Sequence, residues 1–244
     1  MGSVSVLVRA DSQRQRQREE VQVIRVLVVD DEALIRSGFE LILNAVGGIE
    51  VVATCGGGQA VDTMRRARPD VVLLDIRMPD TDGLAVLREI RSMTEPPVVA
   101  MLTTFDSDEY VMTALRSGAA GFILKDTEPE QLGQLVRTLA AGGVVLSPKA
   151  SSAIVRAMPK ESSTDEDMPR LILLTDRERE VLLLVAEGLS NADIGSRVHL
   201  SASTVKDHVS AILTKLQVAG RVQAALLAQR AGLLRAGPAG RRSV

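Results

Sequence analysis

The 244-residue sequence predicts an α/β doubly wound, five-stranded parallel sheet followed by a C-terminal all-α domain of four helices. Three observations carry this. Short runs rich in Val, Leu and Ile alternate five times with amphipathic segments between Ile24 and Ala141, which is the signature of strands buried on both faces and joined by crossover helices. After Leu171 no strand signal remains. The charge divides at the same place: residues 21–150 hold 12 basic against 18 acidic side chains, a balance of −6, whereas residues 171–244 hold 10 against 6, a balance of +4. An anionic partner such as nucleic acid therefore belongs with the second half.

Composition narrows the class further. Hydrophobic residues make up 45% and aromatics only 2%, with no Trp, so the core is built from aliphatic side chains and suits helices on a parallel sheet better than a β-sandwich. The single cysteine, Cys55, has no intramolecular disulfide partner, as expected of a cytoplasmic protein, and reads as a small buried apolar residue. No apolar stretch reaches the roughly 20 residues needed to cross a bilayer, so no membrane role is expected.

Residues 1–22, which include RQRQREE, read as a mobile extension. The first domain spans 23–142. Its strand and helix segments are IRVLVVD and ALIRSGFELILNAV, EVVATC and QAVDTMRRA, VVLLD and GLAVLREIR, PPVVAML and EYVMTALRSG, and AGFILK and PEQLGQLVRTLAAG. Residues 143–170 form a linker in which VVLSPKASSAIVRAMP can make one short helix and KESSTDEDMPR is turn-rich and acidic. The second domain spans 171–236 and a flexible tail 237–244. Its helices open at LTDRERE, LSNADI, LSASTVKDHV and RVQAALLAQ; Thr175 with Glu178 forms a capping box, and Ser190 or Asn191 caps the second helix.

Parallel sheets bind ligands at the carboxyl ends of their strands. Here strand one ends in Asp30 and Asp31, strand three in Asp75, strand four in Thr103 and strand five in Lys125. Three nearby carboxylates repel unless a cation intervenes, and an all-oxygen set suits a hard divalent ion such as Mg2+. With Lys125 as a second positive charge and Thr103 as a hydroxyl donor, the set is built to hold a phosphoryl group, which Asp75 can accept as an acyl phosphate.

The stretches VVDDE, VLLDIRMPDTDG, MLTT and GFILKD together resemble the receiver domain of bacterial two-component response regulators, from Arg25 to about Ala141. The resemblance implies Asp75 as phospho-acceptor and Asp30, Asp31 and Asp75 with the backbone carbonyl of Arg77 as Mg2+ ligands. It implies Thr103 and Lys125 as phosphoryl contacts and Thr103 with Phe122 as a switch. The Arg77 side chain, two residues beyond Asp75, would tune the lifetime of the acyl phosphate. Pro79 and Gly83 match the turn into the next helix, at which glycine can take a conformation costly for other residues. Asp126 stands where many receivers have proline.

The segment LTDREREVLLLVAEGLSNADIGSRVHLSASTVKDHVSAILTKLQV resembles a LuxR-type helix-turn-helix domain, and the two halves together resemble the NarL/FixJ class of regulators. On its third helix Val205, Val209, Ile212, Leu213 and Leu216 form an inward stripe. Ser203, Thr204, Lys206, Asp207, His208, Ser210 and Lys215 face outward as candidate contacts to double-stranded promoter DNA, with Lys206 foremost and Thr204 and Lys215 suited to the phosphate backbone. The implied function is transcription control by a DNA-binding response regulator phosphorylated by a sensor histidine kinase and dimeric when phosphorylated. In the off state the receiver either covers the reading helix or leaves the chain monomeric. The Val222, Ala225, Leu226 and Gln229 stripe of the last helix can serve a dimer interface or packing within the domain. The alternatives are a phosphorylation-independent DNA-binding regulator and an aspartyl-nucleophile phosphohydrolase. The latter needs an acid two residues after its nucleophile, where this chain has Arg77.

Overall fold

The computed structural model describes residues 23–104, 108–147, 150–152, 156 and 169–233. Alternating side chains of each strand sort into two cores, as the pleat requires. In β1 (Ile24–Val29), Val26 and Val28 face one helical layer while Leu27 and Val29 face the other. The same division runs through β3 (Val71–Asp75) and β6 (Val98–Thr103).

With β2 (Ile49–Cys55) and β7 (Gly121–Leu124), these strands form a five-stranded parallel sheet in the order β2-β1-β3-β6-β7. Helices α1 (Ala33–Asn44) and α5 (Pro129–Ala140) cover one face through Phe39, Leu43, Leu132, Val136 and Leu139. Helices α2 (Ala60–Ala67), α3 (Gly83–Arg91) and α4 (Asp108–Arg116) cover the other through Met64, Leu84, Leu87, Ile90, Val111 and Leu115. Sequence order reverses direction across the sheet between β1 and β3, so the loops diverge there and open a crevice at the carboxyl ends.

Two features go beyond the periodicity. A short antiparallel pair, β4 (Arg77–Met78) with β5 (Thr81–Asp82), folds the chain back immediately after β3. The sheet side also extends past residue 142: Val145 bridges to Gly121, its carbonyl accepts the Phe122 N–H at 2.7 Å, and Ala150 is buried in the helix α2–α4 core. An edge strand with free backbone groups recruits the first residues of the expected linker. The extension 1–22, the tail 237–244 and residues 148–149, 153–155 and 157–168 of the expected linker lie outside the described residues.

The C-terminal domain contains α6 (Asp176–Ala186), α7 (Asn191–Val198), α8 (Ala202–Leu216) and α9 (Arg221–Arg230) around Val181, Leu182, Ile194, Val205, Ile212, Leu216, Leu227 and Ala228. Helix starts are set by side chains: Thr175 with Glu178 and Ser190 with Asp193 form reciprocal capping boxes, and Ser201 accepts from the Thr204 N–H. Of the two candidate caps for α7, Ser190 is the one used.

Candidate functional site

Four adjacent strands deliver the acidic pocket. Asp30 follows β1, Asp75 ends β3, Thr103 ends β6 and Lys125 follows β7. The Lys125 ammonium sits 2.8 Å from Asp30 Oδ2, 3.0 Å from Asp75 Oδ2 and 3.3 Å from Glu32 Oε1. Asp30, Asp75 and Thr103 are buried. Asp30 Oδ1 accepts from the Glu32 N–H at 2.9 Å, which fixes its rotamer, and Asp75 Oδ1 receives a long contact of 3.4 Å from the Arg77 N–H.

Two buried carboxylates thus share one ammonium. Burial pushes the Asp75 carboxyl above its ordinary range, and the Asp30 charge adds to this while Lys125 opposes it. Burial works against the Lys125 charge, but hydrogen bonds to Asp30 and Asp75 outweigh it and raise its pKa. The surplus of negative charge favours a further cation. Among the described residues no three carboxylate, histidine or cysteine side chains are arranged to hold a metal on their own. The donor set nevertheless fits Mg2+, which accepts one or two carboxylates and keeps its waters.

Asp31 is held differently from its neighbour. It is exposed, and its Oδ1 accepts from the Gly57 N–H at 3.0 Å. The Arg77 side chain is also exposed, with its guanidinium stacked 5.3 Å from the centre of the Tyr110 ring on α4. Glu32, a third acid on Lys125, and Tyr110 both escaped the sequence reading; the acidic triplet Asp30-Asp31-Glu32 was the available signal for the first. Phe122 is 1% exposed and already enclosed in the α2–α4 core. Any switching at Phe122 therefore starts from the inward position.

Helix α8 projects a polar face from the second domain. Val205, Ile212 and Leu216 are buried beneath it, with Val209 and Leu213 partly so. Ser203, Lys206, Asp207 and Ser210 are exposed, and Thr204 and His208 are half-buried. The Ser201 and Thr204 hydroxyls hydrogen-bond at 2.8 Å, and Ser210 donates to the Lys206 carbonyl at 2.9 Å, so short side chains lie close to the helix surface as a groove-entering helix requires.

Comparison with known proteins joins the two sites. Residues 26–137 match the response regulator receiver domain, and residues 173–228 match the luxR family of bacterial regulatory proteins. An uncharacterised transcriptional regulatory protein of Bacillus subtilis (strain 168), YxjL, is 36% identical over 214 residues, covering 86% of this chain and 97% of that protein. The chain is a two-component response regulator of the NarL/LuxR family. The DNA-binding transcriptional activator DevR/DosR of Mycobacterium tuberculosis is 36% identical over 207 residues, covering 84% of this regulator and 94% of that one. A crystal structure of a LuxR-family two-component response regulator from Aurantimonas sp. SI85-9A1 covers 54% of this regulator and 95% of that chain, at 27% identity and a TM-score of 0.51.

In this response regulator Gly83 has a role other than the one expected. Its backbone is not left-handed; instead a Cβ there would lie 2.2 Å from the Asp75 carbonyl and 2.9 Å from that of Ile76. The β4–β5 turn brings the start of α3 against the backbone of the acceptor residue, and only a glycine fits.

Lys215 is engaged elsewhere. Its ammonium binds both oxygens of buried Glu178, at 2.8 and 2.6 Å, which ties α8 to the start of α6. Burial opposes the Glu178 charge, but the bonds from Lys215 and Thr175 prevail and hold its carboxyl below the usual range. Within the regulator's last helix, Arg221 is buried; its Nη1 donates to Asn191 Oδ1 at 2.8 Å and its Nη2 to the Leu189 carbonyl, while desolvation lowers its pKa to about 10. The stripe on α9 divides between the two domains. Ala225 packs within the DNA-binding domain, whereas Val222 and Leu226 pack into the receiver core.

Proposed function

We propose that this regulator is switched by phosphoryl transfer to Asp75 from a sensor histidine kinase and then controls transcription as a homodimer on promoter DNA in the cytoplasm. The observation that carries the reading is the convergence of Asp30, Asp75 and Lys125 at the carboxyl ends of adjacent strands. In the transfer, an Asp75 carboxylate oxygen forms a bond to phosphorus as the bond from phosphorus to the donor imidazole nitrogen breaks. The electron pair stays on that nitrogen, which takes up a proton. Asp30 and Asp75, with Asp31 and the Arg77 carbonyl alongside, would hold a Mg2+ ion, which would supply charge neutralisation for the phosphoryl oxygens. Lys125 supports the same charge from the protein side, and Thr103 offers its hydroxyl.

Helix α1, which begins next to Asp30 and Asp31, carries Leu34 and Leu41 84% and 75% exposed at a seven-residue spacing. Such a stripe beside the pocket suits docking of a helical donor protein. The regulator accepts and loses a phosphoryl group but is not a turnover enzyme, since Arg77 stands where an aspartyl phosphohydrolase needs its second acid.

Incubation of the full chain with acetyl phosphate or phosphoramidate and Mg2+ tests the reading. One phosphoryl group should be gained by mass in the wild type and none in Asp75→Asn. An unmodified wild type, or equal modification of both, overturns it.

A further inference from the structure

Arg77 is joined to the acceptor by its main chain and to helix α4 by its side chain. Its N–H lies 3.4 Å from Asp75 Oδ1, and its backbone pairs with Asp82 across the β4–β5 turn. The next residue, Met78, turns into the core, so Arg77 turns out to solvent. There its guanidinium carbon lies 5.3 Å from the centre of the Tyr110 ring. No carboxylate among the described residues pairs with Arg77, which leaves the ring face as the partner of its side chain.

The two partners differ in rigidity. Tyr110 is 38% exposed, but Val111, Ala114 and Leu115 of the same helix are buried in the core beneath it. The ring is therefore mounted on a pinned helix, whereas an exposed arginine without a partner samples many rotamers. Tyr110 decides where the guanidinium rests, and not the reverse.

The segments that carry the pair flank the acceptor. Strands β3 and β6 are adjacent, with Asp75 opposite Leu102, so the chain leaving β3 and the helix following β6 rise on either side of Asp75 and Thr103. An acyl phosphate is hydrolysed by in-line attack. The water oxygen bonds to phosphorus as the bond to the Asp75 oxygen breaks, and the electron pair stays on the carboxylate. Of the two water protons, one ends on inorganic phosphate and one in solvent. The attacking water must come from the side opposite Asp75, which is the open side of the pocket.

We propose that Tyr110 is a positioning residue that holds the Arg77 guanidinium across the open side of the pocket, keeps in-line water away from a phosphoryl group on Asp75 and so prolongs its life. The role rests on the function proposed above. Tyr110 acts only through Arg77, and it does so with its ring face, so the phenol hydroxyl is dispensable.

The chain has one tyrosine and no tryptophan, so its ultraviolet fluorescence reports on Tyr110 alone. With no donor present, acrylamide should quench that emission more strongly in full-length Arg77→Ala than in wild type; equal quenching overturns the stack. For the lifetime, full-length proteins are loaded with phosphoramidate and Mg2+, the donor is removed, and loss of the phosphoryl group is followed by mass. Tyr110→Ala should shorten the half-life about two- to fivefold, the weight of an exposed cation–π contact. Tyr110→Phe should keep the wild-type half-life. Arg77→Ala should shorten it at least as much as Tyr110→Ala, and the double variant should be no shorter than Arg77→Ala alone. A wild-type half-life in Tyr110→Ala, a half-life in Tyr110→Phe as short as in Tyr110→Ala, or an undiminished effect of Tyr110→Ala without Arg77 overturns the positioning role while Asp75 remains the acceptor. A wild type that gains no phosphoryl group overturns the function proposed above, and the positioning role falls with it.

Discussion

Lys125 Nζ stands 3.0 Å from Asp75 Oδ2 and 2.8 Å from Asp30 Oδ2, so one ammonium holds together two buried acids delivered by strands that are not consecutive in sequence. Lys125 and Asp75 are 50 residues apart. The sheet order alone makes them neighbours.

Removing that ammonium leaves two buried carboxylates facing each other. Lys125→Ala should lose about 3–5 kcal/mol of stability to chemical denaturation, the range for breaking a buried ion pair. Adding Asp75→Asn to it should recover part of the loss. The pKa of Lys125 is raised in the folded state, so its contribution is fully present below the ordinary value of 10.5 and disappears as pH rises through the higher folded value. Denaturant titrations at several pH values would check both points.

Asp75 has the same sign, but here the favoured form is uncharged. Its pKa is raised by burial above the ordinary 3.8, so the neutral acid is favoured by folding; that advantage is present below 3.8 and lost as pH rises through the folded value. At neutral pH Asp75→Asn should therefore be more stable than wild type. The two should converge at acid pH in thermal melts.

Glu178 behaves as a depressed acid. Its stabilising ionisation is present above the ordinary 4.5 and is lost as pH falls through the lower folded value. Glu178→Gln should flatten the acid limb of unfolding for the C-terminal helices, at a cost of about 1–3 kcal/mol at pH 7. Lys215→Ala should behave alike. A change in DNA affinity beyond that loss of stability would mean that Lys215 also meets DNA.

Gly83→Ala places a methyl 2.2 Å from the Asp75 carbonyl. We expect a loss of at least about 1–3 kcal/mol, as is typical of overpacking, together with a slower gain of the phosphoryl group by mass. A wild-type rate would show that the acceptor backbone yields without consequence.

Lys206 is the exposed cation on the polar face of α8. Lys206→Ala should weaken binding to the regulator's DNA site and, if the contact is to a phosphate, reduce the slope of log K against log salt by about 0.9. Fluorescence anisotropy over a salt series gives both quantities.

The sequence by itself determined the five strands of the parallel sheet, the helices that flank it and the acids and lysine that end those strands. Buried parallel strands must be apolar on both faces, so Val71–Asp75 reads as a strand that stops at its carboxylate, and Thr175 with Glu178 announces its helix locally. Contacts between distant segments carry no such periodicity. That Gly83 is glycine because of the Asp75 carbonyl, that Lys215 is committed to Glu178, and that Val222 of the last helix completes the receiver core were decided only by tertiary structure. Each depends on which surfaces meet after the sheet has closed, and a local pattern fixes which side chains need burial without specifying what buries them.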